Sequence, residues 1–413
     1  MNSPLTPTSI PTDKSAGKAF VVTVAMVYVV AYLIRYVYLY YFVSRNYAFT
    51  DINPEWNPIV FPSLAQSFLI CSLIFGAFFL LSVPWGGRGA NLRIAYSVPG
   101  GWPQGALLLF ILLCTAMRYL FGARLGEETI QLPFGLTAII NRAISELIPG
   151  LILLMMEAFW FNKQKGAYRF WLLVLAAFNI GIAAIAASKA GMVFFAVELV
   201  LFMYLTGQPL FQKPVRWIVV GILVLAAFIA GSEIRSQTIS GGASEYLTLL
   251  KQGDYVGTLL LVMGTLVNRV IGLEGYALSC GYSCSTLPSV VVPSVQSFFG
   301  DAGRIFTQEV IRVQRDFDYR SPGLLAGAAL ITGIYGGGVL VLAFLRGSLA
   351  TIRLSDRGAF STAFRVSVVF GLFRFIVEGT WDAVNLIALV IGAMMVEFAA
   401  RRLPFRVEQS VTA

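Results

Sequence analysis

An all-α bundle of about ten membrane-spanning helices, with one large extracytoplasmic loop that contains amphipathic helices, is the fold class the sequence predicts. Three observations predict it. Hydrophobic residues make up 57% of the 413-residue chain and charged residues only 12%, with a mean hydropathy of +0.77. Apolar runs long enough to cross a bilayer recur along the chain, and Lys and Arg cluster in alternate connections between them. A soluble domain carries about twice that charge fraction, so water is not the main solvent for this surface.

The expected spans are Ala19 to Phe42, Leu64 to Val83, Gly105 to Leu120, Gly135 to Phe161, Phe170 to Ala187, Gly191 to Leu205, Trp217 to Ala230, Gly323 to Leu345, Thr362 to Val377 and Ala383 to Ala399. Basic residues set their direction. Lys14 and Lys18, Arg88 and Arg93, Lys163 to Arg169, Lys213 and Arg216, Arg346 to Arg357, and Arg401 to Arg406 all fall in connections of one parity. Positive charge accumulates on the cytoplasmic side, so both termini are expected inside. The resulting organisation is a tail at 1–18, seven helices in 19–230, an outer loop at 231–322, three helices in 323–400 and a second tail at 401–413. Gly257 to Ile271 is apolar, but counting it as a span would break this parity. The stretch from Tyr255 to Leu273 therefore reads as an amphipathic helix in the outer interface. Tyr36, Tyr38, Tyr40 and Tyr41 mark the outer end of the first helix, where amphipathic rings favour the headgroup level.

Composition also excludes functions. The chain has no histidine, which removes the common proton shuttle at neutral pH and the commonest metal ligand. No metal site is expected. The net charge of +9 belongs to the cytoplasmic connections, so nucleic acid is not an expected partner. Cys71 and Cys114 lie in apolar runs; Cys280 and Cys284 share a polar stretch, where a disulfide and two separate thiols fit equally. The first residues, Met1 to Gly17, lack the apolar core of a cleavable signal and read as a short tail. No internal repeat of the transporter kind is visible.

The outer loop holds Arg235, Lys251, Arg269, Arg304, Arg312, Arg315 and Arg320, nearly balanced by acids that include Glu274. Positive charge is disfavoured on that side, and an anionic ligand would account for it: guanidinium binds phosphate oxygens bidentately and keeps its proton. A solvated loop whose charges pair internally explains any single arginine as well. Two helices carry an Arg four residues before a Glu, Arg142 with Glu146 and Arg374 with Glu378, one turn apart on one face. Ser188 and Lys189 lie in a tight outer turn. Glu198 sits within the sixth helix, with Arg35 of the first helix a candidate partner. Each fits a structural ion pair or a snorkelling side chain; convergence of several on one cavity would make a site.

The chain resembles the O-antigen and oligosaccharide repeat-unit polymerases of the Wzy family. The resemblance rests on Ser188-Lys189-Ala190-Gly191, on the late outer loop with Arg269 after an apolar helix, and on Ser321-Pro322-Gly323 leading into Gly333-Ile334-Tyr335-Gly336-Gly337-Gly338. The family's small turn usually reads Ser-Arg-Gly, so Lys189 keeps the charge and loses the fork. The resemblance implies a GT-C-type glycosyltransferase of the bacterial inner membrane that needs no cofactor or metal. It would join undecaprenyl-diphosphate-linked repeat units at the periplasmic face, among membrane lipids and beside a flippase and a chain-length regulator. Arg269, Arg315, Arg320 and Arg142, with Lys189 and Arg374, would steady the departing diphosphate. Glu274, or else Glu378, would take the acceptor proton. The related ligases, and membrane O-acyltransferases, are expected to use a histidine, which this chain lacks. A lipid-linked oligosaccharide flippase or other transporter, and a non-catalytic subunit of an envelope assembly complex, are the rival readings. The first predicts charges spread through the core; the second predicts outer arginines that share no cavity.

Overall fold

The protein is described by a computed structural model. It describes residues 15–41, 57–82, 93–96, 99–121, 147–185, 190–208, 245–259, 272–279, 323–357, 360–379, 381, 383–402 and 406–409, with a few single positions between them. Helices dominate. In chain order they are α1 (Ala16–Tyr28), which runs through a π-helical turn at Val29–Ile34 into α2 (Arg35–Tyr41), then α3 (Asn57–Ser82) and α4 (Gly101–Phe121). After these come α5 (Ile148–Phe161), α6 (Lys165–Ile185), α7 (Ala190–Leu205), α8 (Glu245–Lys251), α9 (Leu324–Arg357), α10 (Thr362–Glu378) and α11 (Ala383–Arg402). Four stretches are long and apolar enough to cross a membrane: Ala16–Tyr40, Leu64–Ser82, Gly101–Leu120 and Gly336–Asp356.

Aromatic side chains spaced by about one turn zip α1 to α3. Phe20 meets Phe78 edge-on at 6.4 Å, Tyr28 and Tyr32 meet Phe75 at 5.2 and 5.1 Å, and Tyr36 stacks on Phe68 at 4.4 Å. Position rises along one helix as it falls along the other, so the two are antiparallel. α10 is the hub: it packs against α1, α5, α7, α9 and α11, and most of its side chains are buried. Outward faces are as apolar as the core. On α4, Trp102, Leu109, Leu112 and Leu113 are all more than half exposed, a surface suited to hydrocarbon rather than water.

Polar contacts gather many helix ends at one end of the bundle. The Asp356 carboxylate accepts from the Ser15 hydroxyl at 2.5 Å and from the Ala16 and Gly17 amides at 3.0 Å each. Arg353 donates to the Ser82 carbonyl at 2.8 Å, and Arg346 to that of Leu81. Glu157 of α5 accepts the Thr362 and Ala363 amides at 2.8 and 2.9 Å, and Glu397 of α11 accepts the Ser361 amide and hydroxyl. A carboxylate is the natural partner for the unpaired amides and positive dipole of a helix start. The start of α1, the ends of α3, α5, α9 and α11, and the start of α10 thus share one level, which we call the basic end.

Two expectations change. A two-stranded antiparallel ribbon joins the helices, with Arg93–Tyr96 (β1) paired to Arg406–Gln409 (β2) and Arg93 opposite Gln409. Gly323 to Leu345 is not one straight span. Gly333 has φ 78° and ψ 176°, a conformation open essentially to glycine alone, and α9 divides there. A Cβ on Gly337 would lie 2.8 Å from the Ala329 nitrogen, so the chain doubles back and packs Leu324–Gly333 alongside the long arm Gly336–Asp356.

Candidate functional site

The short arm of α9 begins inside the bundle. The Leu324 carbonyl accepts the indole N–H of Trp381 at 2.7 Å, and the Trp381 ring stands 5.4 Å from Phe344. Phe344 lies 12 residues from Asp356, about 18 Å up the long arm at 1.5 Å per residue. The half-helix therefore starts at that depth and climbs to its turn at the far end, opposite the basic end. Residues 323–330 are all buried. Backbone that begins at such a depth persists only where protein encloses it.

Two Arg–Glu pairs flank this half-helix. The first joins Arg35, directly after the π-helical turn, to Glu274 of the segment 272–279. The Arg35 Nε donates to Glu274 Oε1 at 2.6 Å and Nη2 meets the same oxygen; the two side chains are 1% and 0% exposed. Both guanidinium contacts fall on Oε1, and among the described residues Oε2 has no hydrogen-bond partner. The Tyr38 ring lies 5.3 Å from the guanidinium carbon. Gly272 presses on the π turn, where a Cβ would come within 2.5 Å of the Ala31 carbonyl. A π turn widens the helix by one residue and rotates the next side chains about the axis, here Arg35. The Tyr32 hydroxyl links this pair to the half-helix, because it meets the Leu325 backbone and lies within electrostatic reach of Glu274.

The second pair lies on α10. Arg374 Nη2 is 3.3 Å from Glu378 Oε1, with side chains 18% and 29% exposed. The Arg374 guanidinium lies over the Phe194 ring at 5.4 Å, which ties α10 to the first turns of α7. Counting from Thr362, the pair is 12 and 16 residues along α10, about 18 and 24 Å from the basic end. Directly after Glu378, Gly379 (φ 59°) ends the helix and backs onto Gly323 so closely that a Cβ would overlap its backbone. Trp381 comes two residues later with φ 45°, a left-handed conformation that costs a bulky residue about 1–3 kcal/mol.

Of the candidates read from sequence, Glu274, Arg374 and Glu378 fall in this region, on two sides of one half-helix. Arg142, Lys189, Arg269, Arg315 and Arg320 lie outside the described residues, as do Cys280 and Cys284. The sequence places Glu274 on an outer loop; its segment, 272–279, is buried throughout. The interfacial helix expected from Tyr255 is described over 255–259, capped by the Asp254 carboxylate on the Gly257 amide at 2.7 Å, with Tyr255 and Val256 largely exposed. Glu198 is buried on α7, and the carboxylate found on Arg35 is Glu274. Sequence reasoning names Arg35 with the wrong candidate partner, Glu198, and misses Tyr32 and Trp381. Arg35 does stand out as a charge within an apolar run, whereas nothing in the sequence marks Trp381.

The arrangement offers a guanidinium and a carboxylate side by side and partly exposed, Arg374 and Glu378, on the helix that packs against five others. A closed pair, Arg35–Glu274, ties the segment 272–279 to the helix after the π turn. No protein-family model, no curated protein and no solved structure matches the chain.

Proposed function

We propose that this chain is a membrane glycosyltransferase that joins lipid-diphosphate-linked oligosaccharide repeat units, with the basic end cytoplasmic and the far end outside. Undecaprenyl diphosphate is the carrier implied, and the inner membrane of a bacterium the setting. The observation that carries the reading is the Arg374–Glu378 pair: cation and carboxylate side by side, partly exposed, at the end away from the basic connections. An i,i+4 ion pair contributes only about 0.2–0.5 kcal/mol to an exposed helix, so its loss alone need not unfold the protein.

In the reaction, an acceptor sugar hydroxyl attacks the anomeric carbon of the donor glycan. The new glycosidic C–O bond forms as the bond to the diphosphate breaks, and the lipid diphosphate leaves with the bonding electrons. Glu378 takes the hydroxyl proton and passes it to water. Arg374 bears on the growing charge of the leaving group, and Arg142, Lys189, Arg269, Arg315 and Arg320 would add to that field. Glu274, the first choice for the base on sequence grounds, is better suited to anchoring: its carboxylate is enclosed and held by Arg35. No metal or cofactor is required by this scheme.

A transporter of the same lipid-linked units is the second reading, favoured by a half-helix that starts within the bundle, as in carriers with broken helices. One experiment separates the two. Purified protein in liposomes, given lipid-diphosphate repeat units on both faces, is expected to yield longer glycans and free lipid diphosphate. The Glu378→Gln variant should yield neither while folding normally. Units that cross the bilayer without being joined would establish the transporter instead.

A further inference from the structure

Trp381 combines three features that a packing residue does not need together. Its backbone is left-handed although it is a tryptophan, its side chain is 2% exposed, and its indole N–H is spent on the carbonyl of the first half-helix residue, Leu324, at 2.7 Å. The ring is boxed edge-on by Phe344 at 5.4 Å and Phe375 at 5.5 Å. Glycines clear the remaining space. A Cβ on Gly327 would come within 2.6 Å of Trp381 Cδ1 and closer still to the Gly379 carbonyl, and one on Gly379 would overlap Gly323. Gly323 and Gly327 thus meet the turn that begins at Glu378 with no atom to spare between them.

We infer that Trp381 is a positioning residue: its indole N–H on the Leu324 carbonyl clamps the half-helix to the Glu378–Gly379 turn and so sets where the Glu378 carboxylate points. A strained backbone persists only where its surroundings over-determine it, and here the surroundings are the two elements the clamp joins. The hydrogen bond is sheltered from water, so the indole N–H has no substitute partner when it is lost, whereas the Leu324 carbonyl keeps its place in the helix. Glu378 precedes the clamp by three residues on a chain that α10 holds rigidly below it. Slack in the clamp is therefore taken up by the last turn of α10, which carries the carboxylate. The consequence for turnover rests on the glycosyl-transfer reading; the clamp itself does not.

The test uses the full-length protein in lipid nanodiscs and the variant Trp381→Phe, which keeps an aromatic ring but removes the N–H donor together with part of the indole's bulk, so it is paired with Gly327→Ala, which keeps the whole indole. Amide hydrogen exchange over residues 324–330 and 376–379 is expected to quicken about tenfold, the effect of losing one buried hydrogen bond, while α5 exchanges as before. With a lipid-diphosphate oligosaccharide as substrate, kcat is expected to fall about tenfold at an unchanged KM, since the carboxylate is displaced and binding is not. Gly327→Ala, which pushes the clamp apart with the N–H intact, should give the same signature, and it serves as the test if the Phe variant does not fold. Unchanged exchange in a folded variant overturns the inference whatever the turnover. Faster exchange with unaltered kcat overturns the positioning role. Faster exchange in a protein whose wild type joins no glycans leaves the clamp standing and rejects the glycosyl-transfer reading instead.

Discussion

Arg35–Glu274 and Arg374–Glu378 use the same two side chains on either side of one half-helix, yet they sit in opposite surroundings. The first joins residues 239 positions apart and is sealed, at 1% and 0% exposure. The second is local, an i,i+4 pair at 18% and 29% exposure. Charges taken wholly out of water are tolerable only together, so the sealed pair is a structural commitment: removing one partner leaves an unmatched buried charge. The second pair is only partly enclosed, and a local pair of this kind contributes little to stability. Exposure, rather than residue type, is what distinguishes the two pairs.

That contrast sets the order of expected effects. Arg35→Ala should be the most damaging change, lowering stability by about 3–5 kcal/mol in thermal or denaturant unfolding in lipid, because Glu274 is stranded. The double variant Arg35→Met with Glu274→Leu should recover most of that loss, since an apolar pair of similar bulk carries no unmet charge. A double variant as unstable as the single one would mean the pair does more than anchor. Gly333→Ala comes next, at about 1–3 kcal/mol, because the fold-back conformation at φ 78° and ψ 176° is closed to alanine. Its loss should loosen the half-helix between both pairs, read as faster exchange over residues 324–333. Smallest in stability is Glu378→Gln, within about 0.5 kcal/mol of wild type, yet glycan joining should vanish. Reversing the open pair, Arg374→Glu with Glu378→Arg, should keep the melting temperature and lose joining; retained joining would show that the pair serves the fold alone.

Much of the fold is legible in the sequence because hydropathy and positive charge act locally. The runs at Leu64 to Val83 and Thr362 to Val377 match helices that end within a residue of those bounds, apart from an earlier start for α3 at Asn57. The Arg374–Glu378 pair is expected from helical spacing alone and is there. The Arg35–Glu274 pair is not legible, since nothing local tells residue 35 that its partner is residue 274. The fold-back at Gly333 does leave a signal, which a straight span does not account for. Glycines at 323, 327, 333, 336, 337 and 338 are too dense for a straight apolar helix, which glycine weakens, and two backbones in close contact explain them. The ribbon of β1 with β2 joins segments more than 300 positions apart and leaves no periodic trace in either.

The half-helix also constrains biogenesis. Leu324–Gly333 has ten residues, half of what a bilayer crossing takes, so an insertion channel has no reason to release it sideways into lipid by itself. Its packing against Gly379 and Trp381 requires that α10 be made first, so it would settle into place only after the long arm and α10 have been translated. Reporters placed just before Gly323 and at the Gly333 turn should accordingly score to the same compartment, although ten apolar residues separate them.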